Sequence, residues 1–140
     1  MKTSNYDKSP CTMVTGFEGE VFAGYDEIIR ELKEKCKGRM RTVITVDCYP
    51  GVRLQEIINH FREGLSPTEV IISDECSLTG EQITHMIERE LTDDRVFGIL
   101  SCRVLEEFFD PIQLALKKKQ TEQTQKGIIL IIGTGACLIT

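Results

Sequence analysis

Thr42, Val43, Ile44, Thr45 and Val46 are consecutive and all β-branched. Such side chains are stiff at χ1 and favour extended backbone. The run shows no alternation of apolar and polar residues, so a strand made from it has to be covered on both faces. That is the condition of a parallel strand between layers of helix. Asp47 ends the run and Pro50-Gly51 turns the chain. Val52, Leu54, Ile57, Ile58, Phe61 and Leu65 then recur at helical spacing, with Gly64 expected to close the helix. Strand, turn and helix make half of a βαβ unit, where α/β proteins commonly hold a phosphate or nucleotide.

The second half follows. Ser66-Pro67 breaks the chain before a strand over residues 68–73 that runs into Asp74. The whole unit takes roughly 34 residues and implies a right-handed crossover. Asp47 and Asp74 then fall at the same carboxyl edge of the sheet, where open α/β sheets bind ligands. Residues 127–133, GIILIIG, are the most apolar strand and enter the turn Gly133-Thr134-Gly135. Val96 to Leu100 reads as a short strand adding an edge to the sheet or as a buried loop. Cys11 to Val14 and Glu20 to Ala23 read as a hairpin or one irregular edge strand.

Helices are expected at three other places. Tyr25, Ile28, Ile29, Leu32 and Cys36 form one apolar stripe, ended by Gly38. Thr79 and Gln82 have the spacing of a capping box, with Ile83, Met86, Ile87 and Leu91 as the buried stripe behind it. Asp110-Pro111 sets an N-cap with proline at the first helical position. Lys117, Lys118 and Lys119 fall in the last turns of that helix, either as a solvated end favourable to its dipole or as a phosphate clamp. Residues 121–126 read as a polar loop. The expected fold is α/β, three layers, with a mostly parallel sheet built on strands 41–47, 68–73 and 127–133.

With 140 residues the chain suits one domain, with 1–11 a polar tail and 12–140 the folded unit. A net charge of −5 and a pI near 5.1 argue against nucleic acid or an anionic membrane as partner. The six cysteines are scattered, without a C-x-x-C pair and with His60 and His85 both remote from them, so they do not outline a metal centre. The polar N-terminus has no apolar signal region, which points to the cytoplasm, reduced thiols and a packing role for most cysteines. The apolar C-terminal stretch is too short for a bilayer span, which takes ~20 residues. A chain stopping on Cys137 to Thr140 just after a buried strand is expected to be a piece of a longer protein.

Taken together, VDCYPGV, the strand ending at Asp74, LTDDRVFGILSCRVLEEFFDP and GIILIIGTGACLI resemble the amino-terminal, kinase-like domain of bacterial mannose-6-phosphate isomerase-like proteins. In those proteins an α/β domain precedes a cupin isomerase domain. The same landmarks are similar to uridine-kinase-type P-loop folds, and the resemblance covers most of residues 12–140. It implies a degenerate, P-loop NTPase-like fold, nucleotide binding and a role in carbohydrate metabolism. Zinc and the isomerase active site would belong to a cupin domain downstream of Thr140, the implied partner.

The phosphate-loop position keeps Gly51 but has no lysine or Ser/Thr after it. The first functional expectation is therefore a non-catalytic or regulatory domain that binds a small phosphorylated ligand. Its ligand would be held by Asp47, Cys48, Tyr49, Gly51, Val52, Gly133 and Gly135, with the helix starting near Val52 turning its first N–H groups toward the anion. The alternative is a small-molecule kinase for a nucleoside or sugar. There Asp47 and Asp74 hold magnesium, Asp74 is the catalytic residue, and Arg53, Arg95 or Arg103 replaces the missing lysine. A plainer reading leaves Asp47 and Asp74 as turn caps and Asp93 and Asp94 as solvated loop charges. His60 reads as an ordinary helical histidine.

Overall fold

The computed structural model describes residues 9–17, 19–94 and 96–140. In chain order it contains α1 (Tyr25–Cys36), β1 (Arg41–Asp47), α2 (Leu54–Leu65), β2 (Glu69–Ile72), α3 (Gly80–Ile87), α4 (Pro111–Gln123) and β3 (Gly127–Gly133). Short 3-10 turns occupy Ser73–Cys76, Leu105–Phe108 and Ala136–Leu138. The strands form one parallel sheet in the order β1-β3-β2, Arg41 in register with Gly127 and Glu69 with Ile129.

The period of two along each strand divides the core. Ile44, Leu130 and Ile132 face Ile29 of α1 and Ile58, Phe61 and Leu65 of α2. Ile71, Ile129 and Ile131 face the other way, onto Cys76, Phe109, Ala136 and Ile139, with Leu114 of α4 against them. Ile129, Leu130, Ile131 and Ile132 are all fully buried, at about 1.5–3 kcal/mol of transfer free energy per side chain. This is why the strand sequences show no alternation: both faces are covered.

From β1 the chain crosses the sheet through α2 on one face, and from β2 it steps back to β3 through α4 on the other. An outward step and a return step keep the same crossover hand only if their helices lie on opposite faces. The parallel α/β expectation thus holds, with helices flanking a three-stranded sheet.

Several boundaries differ. Gly64 does not close α2: the helix runs to Leu65, and Ser66, at φ 48°, is the cap whose N–H bonds the Arg62 carbonyl. Gly64 instead lets α1 approach, since a Cβ there would lie 2.5 Å from Ile29 Cδ1. The strand expected over 68–73 stops at Ile72, because Ser73 already begins a 3-10 turn. Helix α4 runs to Gln123, so the lysine run lies mid-helix and much of the expected loop at 121–126 is helical. The capping box of α3 forms as expected, but its apolar stripe is only half covered and Leu91 is exposed.

Val96 to Leu100 forms no strand among the described residues. Asp94 Oδ1 accepts the N–H groups of Val96 and Phe97 at 2.8 and 3.2 Å, which turns the chain there. Nor does a hairpin form among the described residues of 11–23; Met13, Val14 and Val21 are exposed. Most of the expected polar tail, residues 1–8, and Arg95 lie outside the described residues.

Candidate functional site at the carboxyl edge of the sheet

Both predicted aspartates reach the carboxyl edge, and both turn toward the segment that leaves β3. Asp47 Oδ1 accepts the Gly135 N–H at 3.1 Å and Oδ2 accepts the Cys137 N–H at 3.3 Å. Asp74 Oδ2 accepts the Thr134 N–H at 2.9 Å from the other side. The turn-capping reading is close, but the capped turn is a distant one, 88 and 60 residues away in sequence. Backbone donors that might have cradled an anion beyond β3 are thereby paired with the protein's own carboxylates.

Gly133 makes this arrangement possible. Its φ is +130°, and a Cβ there would sit 2.0 Å from Asp74 Oδ2 and 2.6 Å from Ser73 Oγ. Ser73 is fully buried and donates its hydroxyl to the Ile132 carbonyl at 3.3 Å. Gly135 plays a packing part, for a Cβ would come 2.5 Å from Phe109 Cζ. Nothing in the local sequence marked Ser73 or Phe109 as part of the edge.

The loop after β1 takes a separate course. Cys48 extends the ladder, its N–H bonding the Gly133 carbonyl at 3.0 Å. Val52 N–H bonds the Tyr49 carbonyl at 3.3 Å, with Pro50 and Gly51 (φ +87°) between them, the residue preferences of a type II turn. Leu54 N–H then bonds the Val52 carbonyl at 2.8 Å, so α2 opens at Leu54 and not at Val52. Arg53 is the N-cap and makes no side-chain cap bond. The Gln55 N–H has no acceptor among the described residues. Tyr49, 83% exposed, and Val52 face solvent, and nothing lies within 4 Å of a Cβ built on Gly51. The edge therefore gathers Asp47, Asp74, Cys48, Gly133 and Gly135, while Tyr49, Gly51 and Val52 form an outward lobe.

Burial pushes the Cys48 thiol up, and the charges of Asp74 and Asp47 push it further. Cys137 is also raised, chiefly by its side-chain hydrogen bond to Asp47. Neither thiol is therefore a ready nucleophile, because the thiolate is the reactive form.

Two of the candidate cations are employed elsewhere. Arg103 pairs with Glu90 at 3.2 Å and Glu107 at 3.0 Å and also donates to the Met86 carbonyl. Lys117 pairs with Glu75 at 2.7 Å, tying α4 to the turn after β2. Arg53 has a 90% exposed side chain and lies 3.7 Å from Glu56. As for magnesium, Asp47 has both oxygens engaged by amides, whereas Asp74 keeps Oδ1 without a hydrogen bond among the described residues. Among those residues no group of three or more His, Cys, Asp or Glu side chains is placed to hold a metal ion. His60 stacks on Tyr25 with ring centroids 4.0 Å apart, which makes it part of the α1–α2 contact.

A cavity of about 350 Å3 opens beside the Asp74-bound turn. It is lined by Pro50, Ser77, Ile83, Leu105, Phe108, Phe109 and Thr134. Sequence offered one clue to it: Phe109 precedes the Asp110 N-cap and Leu114 follows at the fourth helical position, the spacing of a hydrophobic staple.

Fold and edge together define a small parallel α/β domain whose chain leaves β1 and β2 for opposite faces, with the turn after the middle strand held between Asp47 and Asp74. The chain belongs to DUF8485, a domain of unknown function whose family model matches residues 24–140. No curated protein and no solved structure matches it. No helix among the described residues is long and apolar enough to cross a membrane.

Proposed function

We propose that this chain is a non-catalytic, regulatory domain of a mannose-6-phosphate isomerase-like protein, of degenerate P-loop type, that binds a small phosphorylated ligand with magnesium. The ligand sits at residues 48–54. The observation that carries this reading is the bare backbone there: α2 opens without a side-chain cap, and Gly51 leaves open space above the turn. The Gln55 N–H at the helix start has no acceptor among the described residues and favours an anion, and the exposed Arg53, 3.7 Å from Glu56, is the cation of the same segment. The resemblance to the kinase-like domain supports the isomerase context and a cupin domain downstream as partner.

Titration with ATP or mannose 6-phosphate, each with magnesium, is expected to move the NMR amide signals of residues 48–54, and Gly51→Val is expected to suppress the shifts. No shift at millimolar ligand overturns the reading.

The kinase reading draws on the convergence of Asp47 and Asp74 on one turn. Phosphoryl transfer also needs fixed positive charge on the moving group, and Arg103 and Lys117 are held in ion pairs. A coupled ATPase assay on the full-length protein is expected to show no turnover. Turnover abolished by Asp74→Ala would establish the kinase instead.

A further inference from the structure

The cavity beside the β3 turn has a chemistry of its own. Its wall comes from separate segments: Pro50 after β1, Ser77, Ile83 of α3, the stretch containing Leu105, Phe108 and Phe109, and Thr134 after β3. Its volume of about 350 Å3 is at the lower end of the range for small-molecule sites, ~300–1,000 Å3. No charged side chain lines it.

The walls at Phe109 and Thr134 are preformed. Phe109 is 4% exposed and lies against Gly135. Its segment is held to the turn after β2 by the Ser77–Phe109 bridge and by Leu78 N–H bonding the Phe108 carbonyl at 2.9 Å. Thr134 is fixed through its N–H by Asp74. A site that needs no ordering on binding loses less affinity to entropy.

Charge selects the occupant. The Asp74 carboxylate is bonded to a lining residue, and no lining cation offsets it, so an anion entering the cavity would lose hydration without gaining a partner. Two phenylalanines and a proline offer flat apolar surface suited to a ring. Ser77 and Thr134 are the polar lining residues, and neither hydroxyl forms a hydrogen bond among the described residues.

We propose that this cavity is a binding site for a small, neutral ring compound carrying one hydrogen-bonding group, adjoining the anion site at residues 48–54 through Pro50 alone. Indole is the probe. Titration of the full chain, followed by methyl NMR, is expected to give saturable shifts at Ile83 and Leu105 and none at Ile58, which lies on the opposite face of the sheet. Indole-3-acetate, the same ring with a carboxylate, is expected to bind at least about tenfold more weakly.

Ile83→Trp and, separately, Leu105→Trp are expected to fill the cavity and remove the shift at the other of the two residues, with the β3 amide signals showing that the fold is kept. Absence of saturable shifts in the wild type overturns the proposal. So do shifts that persist in a folded variant, or binding of the acetate as tight as that of indole. Because the readout is at Ile83 and Leu105, failure here is distinguishable from failure of the phosphate reading, which is read at the amides of residues 48–54.

Discussion

Asp47 holds a distant turn through both oxygens. Asp47→Asn would set an amide NH2 against one of those N–H groups, and loss of a charged hydrogen bond costs about 1.5–3 kcal/mol. Urea denaturation is expected to show a loss of that order. The same change should lower the Cys137 thiol, which its hydrogen bond to Asp47 pushes up. Although both are exposed, Cys137 is expected to react with iodoacetamide more slowly than Cys102, and Asp47→Asn should speed Cys137; equal rates in wild type and variant would refute this. Gly133→Ala is the complementary test. Its Cβ would collide with Asp74 Oδ2 at a φ of +130°, so strain of about 1–3 kcal/mol and release of the Thr134 N–H are expected, seen as a lowered Tm.

Helices α1 and α2 meet where Gly64 faces Ile29. Alanine at 64 would gain up to about 1 kcal/mol of helix propensity, but its Cβ would lie 2.7 Å from Ile29 Cγ2, an atom close to the backbone of a buried side chain. Overpacking costs about 1–3 kcal/mol, so Gly64→Ala is expected to destabilise. Ile29→Ala combined with it should show favourable coupling in a double-mutant cycle. Additive effects would remove Gly64 from the contact.

That glycine also shows where sequence reading reaches its limit. The strands were legible because their β-branched runs have one physical explanation, and the Thr79 and Asp110 caps because capping is local. Gly64 was misread because a helix-ending glycine and a close-packing glycine look alike until the neighbouring helix is placed. Val96 to Leu100 has apolar residues suited to a strand, but found no partner and stayed exposed. The carboxyl edge was legible as a place. The partners of its aspartates were not, since they lie 88 and 60 positions away.

At the scale of the whole molecule, two packed thiols set an alkaline limit. Burial raises Cys48 and Cys76 in the folded state. Below the unfolded thiol value, about 8.5, both states keep their protons and stability is undiminished. As pH climbs from there toward the raised folded values, the unfolded chain ionises first and stability drains away. Urea denaturation at pH 7.5 and pH 9.5 is expected to show a smaller alkaline loss for Cys76→Ala than for the wild type. An equal loss would remove Cys76 as a cause.

The strand order also governs how the chain is made. β1 and β2 do not touch; each pairs only with β3, across register offsets of 86 and 60 residues, such as Arg41 with Gly127 and Glu69 with Ile129. During synthesis the middle strand is the last of the sheet to leave the ribosome. Until then Thr42–Val46 and Val70–Ile72 are apolar segments with no strand to join, and local helices are the available structure. A nascent chain released before Gly127 is thus expected to keep some helix by circular dichroism yet unfold without a cooperative transition. Its exposed strands would then be a natural target for a holdase chaperone until residues 127–133 arrive.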